Sequence, residues 1–94
     1  MLSQIPINLD KVPKEDIDKE ILRAAVIAEL DAINLYEQMA NLAENATLKE
    51  ILLDVAKEEK THVGEFHAFL LKLDKEQETE LANGRDEVDE MIEG

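Results

Sequence analysis

Three side chains in this sequence stand where an amphipathic helix would ordinarily place hydrocarbon. Glu29 interrupts the run Leu22, Ala25, Glu29, Ala32, Tyr36, Met39, and the pair Glu59 and His62 interrupts Leu52, Val55, Glu59, His62, Phe66, Phe69, Leu73. Steps of three and four put each run on one face of an α-helix. One turn away Glu29 meets Ala25, Val26, Ala32 and Ile33, and Glu59 meets Val55, Ala56 and Val63, so neither carboxylate has a cation within reach on its own helix. An ionised carboxylate in such surroundings is unfavourable unless it is paired or its pKa rises until it is neutral. Two carboxylates and an imidazole are oxygen and nitrogen donors, and a divalent metal would remove the penalty. Taken singly, a Glu in a seam is also an ordinary residue whose stem packs while its head stays in water. Glu-x-x-His alone is a weak pattern in an acidic helix. It is their conjunction on two seams that points to metal.

The elements that must position these residues are helices. No proline or glycine occurs from Lys14 to Val63, whereas Pro6 and Pro13 precede that stretch and Gly84 and Gly94 lie beyond it. Pro13, followed by Glu15, Asp16 and Asp18, predicts a helix start near residue 13. Residues 41–47 read as a turn, with Thr47-Leu-Lys-Glu50 as a capping box opening a second helix that runs to about Leu73. Asp74 with Gln77 three residues on caps a third, shorter helix, which Asn83-Gly84 should stop, with residues 86–92 adding a turn or two. The expected fold is all-α: an antiparallel two-helix hairpin plus a short C-terminal helix. The expected organisation is one domain over 1–94, with a tail over 1–12, the hairpin over 13–73 and the C-terminal helix and tail over 74–94.

Hairpin arithmetic brings the interruptions together. With the turn near residue 44 or 45, Glu29 lies about 15 residues before it and Glu59 about 15 after, so the two are nearly level, and His62 sits about 4 to 5 Å further along. His67 falls nearly opposite His62 on the helical wheel and reads as a surface or partner-contact residue. Asp54, Glu58 and Glu65 read as a solvated face, and Phe66, Phe69 and Leu73 as core. Tyr36, two turns from Glu29, is either a hydrogen-bond donor to a ligand carboxylate or core.

Composition narrows the chemistry. The chain has 94 residues and no cysteine, which removes disulfides, thiolate metal sites and cysteine nucleophiles. With 23 acidic residues against 10 Lys and Arg, a net charge of −13 disfavours nucleic acid and anionic membranes and makes cations the natural counter-species. The N-terminus carries no basic leader, and no window nears the roughly 18 apolar residues of a membrane span, so the expected location is cytoplasmic. A chain this short buries roughly 60 to 65% of its unfolded surface, and a partner would enlarge its core.

Four-helix di-iron carboxylate sites use a Glu from each of two helices and a Glu-x-x-His from each of the other two. This chain holds half that inventory, so a two-fold homodimer would complete both the site and the bundle. The residues Ala28-Glu29-Leu30-Asp31-Ala32-Ile33-Asn34-Leu35-Tyr36-Glu37 and Glu58-Glu59-Lys60-Thr61-His62, with their hairpin spacing over about 14–73, resemble the encapsulated ferritin-like proteins, half-ferritins held inside encapsulin nanocompartments. The resemblance implies a ferritin-like four-helix bundle built from two chains. It also implies a ferroxidase centre of Glu29, Glu59 and His62 binding iron between subunits, a ring of dimers such as a decamer aided by residues 75–92, and an encapsulin shell as partner. Of the places the family uses for metal uptake beside the ligand Glu, one holds Asp31 and the other Ala28. The acidic C-terminus lacks the apolar and basic docking peptide of many members, which fits a domain of a shell fusion or a relative loaded by another route. Hard carboxylates favour Fe(III) over Fe(II), and two irons supply the two electrons that take dioxygen to the peroxide level. Two other readings stand beside this one: a non-catalytic helical oligomerisation module, and a rubrerythrin-type oxidoreductase acting on peroxide.

Overall fold

The computed structural model describes residues 8–94 as three helices, α1 (Ile17–Leu42), α2 (Ala46–Leu73) and α3 (Lys75–Glu93), preceded by single 3-10 turns at Leu9–Lys11 and Lys14–Asp16. The first seven residues of the expected tail lie outside the described residues, and the rest of it includes the first 3-10 turn. Helix α1 begins at Ile17 rather than near residue 13. Pro13 caps the short 3-10 turn Lys14–Asp16 instead, and that turn leads directly into α1. There is no strand among the described residues, and none of their helices is long and apolar enough to cross a membrane.

Helices α1 and α2 form an antiparallel hairpin. Its turn is closed by the Ala43 N–H donating to the Met39 carbonyl at 2.9 Å and by Asn45, whose side-chain oxygen accepts from the Leu48 N–H at 2.9 Å. The expected Thr47 capping box is therefore displaced by two residues. Asparagine is at least as good an N-cap as threonine, and Asn45 has the extended backbone that a cap needs, while Thr47 is already helical.

Asp74 links all three helices. Its N–H closes α2 on the Leu70 carbonyl, its Oδ1 accepts from the Gln77 N–H at 3.0 Å to open α3, and its Oδ2 meets the Arg23 guanidinium of α1 at 2.6 Å. The cap at Asp74 is as expected, but Arg23 had no signal on either seam. The Gln77 amide, and after it Arg23 and Lys19, hold the Asp74 carboxyl below its ordinary value of 3.8. Asn83-Gly84 does not end α3, which continues to Glu93. A single glycine inside a helix lowers its stability without breaking it when its φ stays negative, as here.

The buried apolar residues are Leu22, Ile33 and Ala40 from α1 and Ala56 and Leu70 from α2, with none from α3. Phe69 and Leu73, expected in the core, are 57% and 43% exposed, and Phe66 is only half-buried. Two helices can bury only the faces they turn to each other. Ile51, Val55, Phe66, Phe69 and Leu73 continue around the flank of α2 on helical spacing, and that flank meets no third element.

Replacing Asn45 by Ala should lower stability by about 1 kcal/mol, whereas Thr47→Ala should change it by less than about 0.5 kcal/mol. Thermal denaturation of both variants at one protein concentration checks this; equal losses would restore Thr47 as the cap.

Candidate metal centre

Glu29 projects from the middle of α1, and Glu59 and His62 project from successive turns of α2. The antiparallel register brings them together: one ligand atom from each lies within 4.8 Å of the others, the one such cluster among the described residues. His62 Nδ1 stands 3.1 Å from Glu29 Oε2 and 3.6 Å from Glu59 Oε2. The Glu29 and Glu59 side chains are 21% and 18% exposed and His62 is 46% exposed, so the carboxylates sit inside the seam and the imidazole marks its open edge. That edge belongs to the same flank of α2 as Phe66, Phe69 and Leu73.

Glu59 and His62 hold protons more tightly than the free side chains. A hydrogen bond with Glu29, assisted by partial burial and by the Glu29 charge, raises the Glu59 carboxyl above its ordinary 4.5. The His62 imidazole is raised above 6.5, first by its hydrogen bond to Glu29 and then by the charges of both carboxylates, against a smaller opposing effect of burial. No Lys or Arg pairs with Glu29 or Glu59 among the described residues. The nearest candidate in sequence, Lys60, instead reaches across to Glu37 on α1 at 3.1 Å. The donor set of two carboxylates and an imidazole fits a hard or borderline divalent cation. One chain supplies three donor residues, enough for a single open metal, whereas a di-iron carboxylate centre draws on twice that inventory.

Tyr36 is half-buried on α1, and no hydrogen bond joins it to the cluster among the described residues. Asp31 is half-buried and lies outside the cluster. His67 is not a plain surface residue. It is half-buried at the α2–α3 junction and lines two adjoining clefts there. Asp54, Glu58 and Glu65 are exposed, as a solvated face should be. The cross-helix pairs Glu37–Lys60 and Arg23–Asp74 are the contacts that the seams gave no hint of. Each joins side chains on the solvent side of the hairpin, where only the exact register could have revealed them.

The rubrerythrin family profile matches residues 20–92. The chain is 60% identical over 93 residues to the "Ferritin-like-encapsulin shell fusion protein" of Pyrococcus furiosus, covering 97% of this chain and 27% of that protein. It is 39% identical over 69 residues to the "Encapsulin nanocompartment cargo protein EncC" of Myxococcus xanthus, covering 70% and 53%. The chain thus spans about a quarter and about half of the length of these two relatives. The crystal structure of the encapsulated ferritin domain from Pyrococcus furiosus superposes with a TM-score of 0.82 at 60% identity, covering 96% of this chain and 94% of that one. With the fold, the carboxylate–histidine cluster and these likenesses in agreement, the chain belongs to the rubrerythrin family, among the encapsulated ferritin-like proteins.

Proposed function

We propose that residues 1–94 form a ferritin-like domain acting as a ferroxidase, oxidising Fe(II) with dioxygen at a di-iron centre shared by two copies of the chain. The observation that carries this reading is the convergence of Glu29, Glu59 and His62 on a side of the hairpin whose flank is apolar and uncovered. A second copy related by a two-fold axis would bring four carboxylates and two imidazoles to one place and cover Phe69 and Leu73. Two Fe(II) ions held there would supply the two electrons for reduction of dioxygen. In each chain Glu29 and Glu59 would provide hard oxygen donors and charge neutralisation, and His62 a neutral nitrogen donor. Metal can bind only when the protons shared among these groups depart, so uptake is a proton-releasing step. The names of the relatives, a fusion with an encapsulin shell and an encapsulin cargo protein, support placement inside an encapsulin nanocompartment in the cytoplasm, as a ring of dimers such as a decamer, with storage or detoxification of iron as the outcome. The family match favours one second reading, reduction of peroxide at the same centre. Faster consumption of peroxide than of dioxygen by the Fe(II)-loaded protein would select it.

Glu29→Ala, Glu59→Ala and His62→Ala should each slow Fe(II) oxidation by more than about 100-fold, beyond the 10- to 100-fold typical of residues that only support a ligand. Each should keep its helical circular dichroism, since no variant opens the buried core. Stopped-flow absorbance after mixing Fe(II)-loaded protein with oxygen measures the rates. Near-normal rates in all three variants would overturn the assignment.

Acid should act in opposite directions on the fold and on metal binding. Because Glu59 and His62 hold protons more tightly when folded, their contribution to stability is complete at low pH and is lost as pH rises through their raised values. Metal-free protein should therefore melt higher as pH falls from about 8 to about 5.5, a range in which the depressed Asp74 still keeps its charge. Over the same range Fe(II) affinity should weaken, because the proton competes for the same donors. Calorimetry of metal-free protein and anaerobic Fe(II) titration give the two trends. Trends of the same sign would exclude a shared proton and metal site.

A further inference from the structure

Asn83-Gly84 lies in the middle of α3, although both residue types favour turns. The chain has five asparagines, and the residues that follow them are Leu9, Leu35, Leu42, Ala46 and Gly84. At Asn83 alone can the next main-chain nitrogen approach the side-chain amide with no Cβ beside it. That approach is the first step of deamidation. The Gly84 nitrogen bonds to Asn83 Cγ, the Cγ–Nδ2 bond breaks, and ammonia leaves with the proton of the Gly84 N–H. Water then opens the succinimide ring at either carbonyl, giving an aspartate or an isoaspartyl linkage.

Helix α3 opposes the first step, and Glu80 restrains both reactants. In an α-helix the Gly84 N–H is bonded to the Glu80 carbonyl one turn back, so the attacking nitrogen is engaged. The Glu80 side chain meets the leaving group: its two carboxylate oxygens accept from Asn83 Nδ2 at 3.3 and 3.4 Å. Both restraints are lost when the turn from Glu80 to Gly84 opens.

That opening exposes no core. Helix α3 contributes no buried residue, and Asn83 is exposed. Gly84 weakens the helix relative to alanine, and a Cβ placed there would meet nothing within 4 Å, so no contact within the chain calls for a glycine. An element that buries little opens at a lower free energy than the whole fold.

We infer that Asn83-Gly84 is a self-modification site, gated by local opening of α3 and not by unfolding of the hairpin. An isoaspartyl linkage adds a methylene to the main chain and breaks the helical ladder near its midpoint. Either product also adds a ninth carboxylate to the eight already on the helix. Glu29, Glu59 and His62 lie on the other two helices, so α3 ages while the residues of the metal centre keep their chemistry.

Peptide mapping by mass spectrometry tests this on the full chain held in mildly alkaline buffer, with isoaspartate identified by its labelling with an isoaspartyl methyltransferase. Asn83 should convert at least about ten-fold faster than the other four asparagines, and at least about ten-fold slower than in the same chain unfolded by guanidinium chloride. Gly84→Ala should bring Asn83 down to the level of the others. Asp74→Ala, which removes the cap that opens α3, and Glu87→Gly, which weakens an exposed turn of α3, should each speed conversion at least about two-fold. Asn45→Ala, which removes the cap of α2, should leave the rate unchanged. Equal rates in folded and unfolded chain would mean that α3 is no gate. Acceleration by Asn45→Ala to match Glu87→Gly would mean that the hairpin opens first, and no preference for Asn83 would mean no site; each of these overturns the proposal.

Discussion

The structure depends on two carboxylates and one imidazole being held within hydrogen-bonding distance inside a thin apolar layer. In a chain of net charge −13 no Lys or Arg pairs with these groups among the described residues, and Lys60 and Arg23, which reach between helices, are engaged by Glu37 and Asp74. The two carboxylates and the imidazole meet only one another, which is why Glu59 and His62 both bind protons more tightly than usual. A site that holds protons against its surroundings also selects for any small cation able to displace them. On the proposed function, the electrostatic strain that looks like a defect in a small core would favour occupation by such a cation.

Holding this arrangement requires register more than packing. A slip of one helical turn between α1 and α2 would move Glu29 by about 5.4 Å and separate it from both partners. Few apolar residues oppose such a slip, since only five are buried among the described residues. The discrete contacts do more: Asn45 and the Ala43–Met39 bond set the length of the turn, and Arg23–Asp74 ties the far end of α1 to the end of α2. The cluster lies between these two constraints, about midway along the hairpin, where errors at either end are smallest.

This explains what could be read in the sequence. Glu29, Glu59 and His62 were legible because they break a periodic pattern, and because turn-centred counting needs only the turn position to within a residue or two. The cap at Asp74 was legible because capping is local chemistry. At the start of α2 two caps compete two residues apart and Asn45 prevails over Thr47, while α3, already nucleated, runs through Gly84. The role of Phe69 and Leu73 was misread for another reason. Periodicity shows that a face is apolar and says nothing of whether the same chain covers it. Arg23–Asp74 and Glu37–Lys60 are long-range pairs of surface residues, and no local pattern encodes them.

On the proposed function, half a core and half a metal site are the same fact seen from two sides. An ordinary domain of this size would fold its third helix over the exposed flank of α2 and bury Phe69 and Leu73 itself. Here the extended joint at Asp74 sends α3 away from the hairpin, leaving the edge of the cluster at His62 open. If α3 closed over that flank, apolar side chains would cover the edge from which, on the proposed function, a second copy would add ligands, and the three donors would be left buried with only one another for partners. Keeping the flank open lowers the stability of the lone chain, but it reserves the place for groups that can complete the coordination. The direction of α3, set at Asp74, whose carboxylate bonds α1 and α3 and whose N–H closes α2, thus decides whether the edge of the cluster at His62 is covered or left open to further donors.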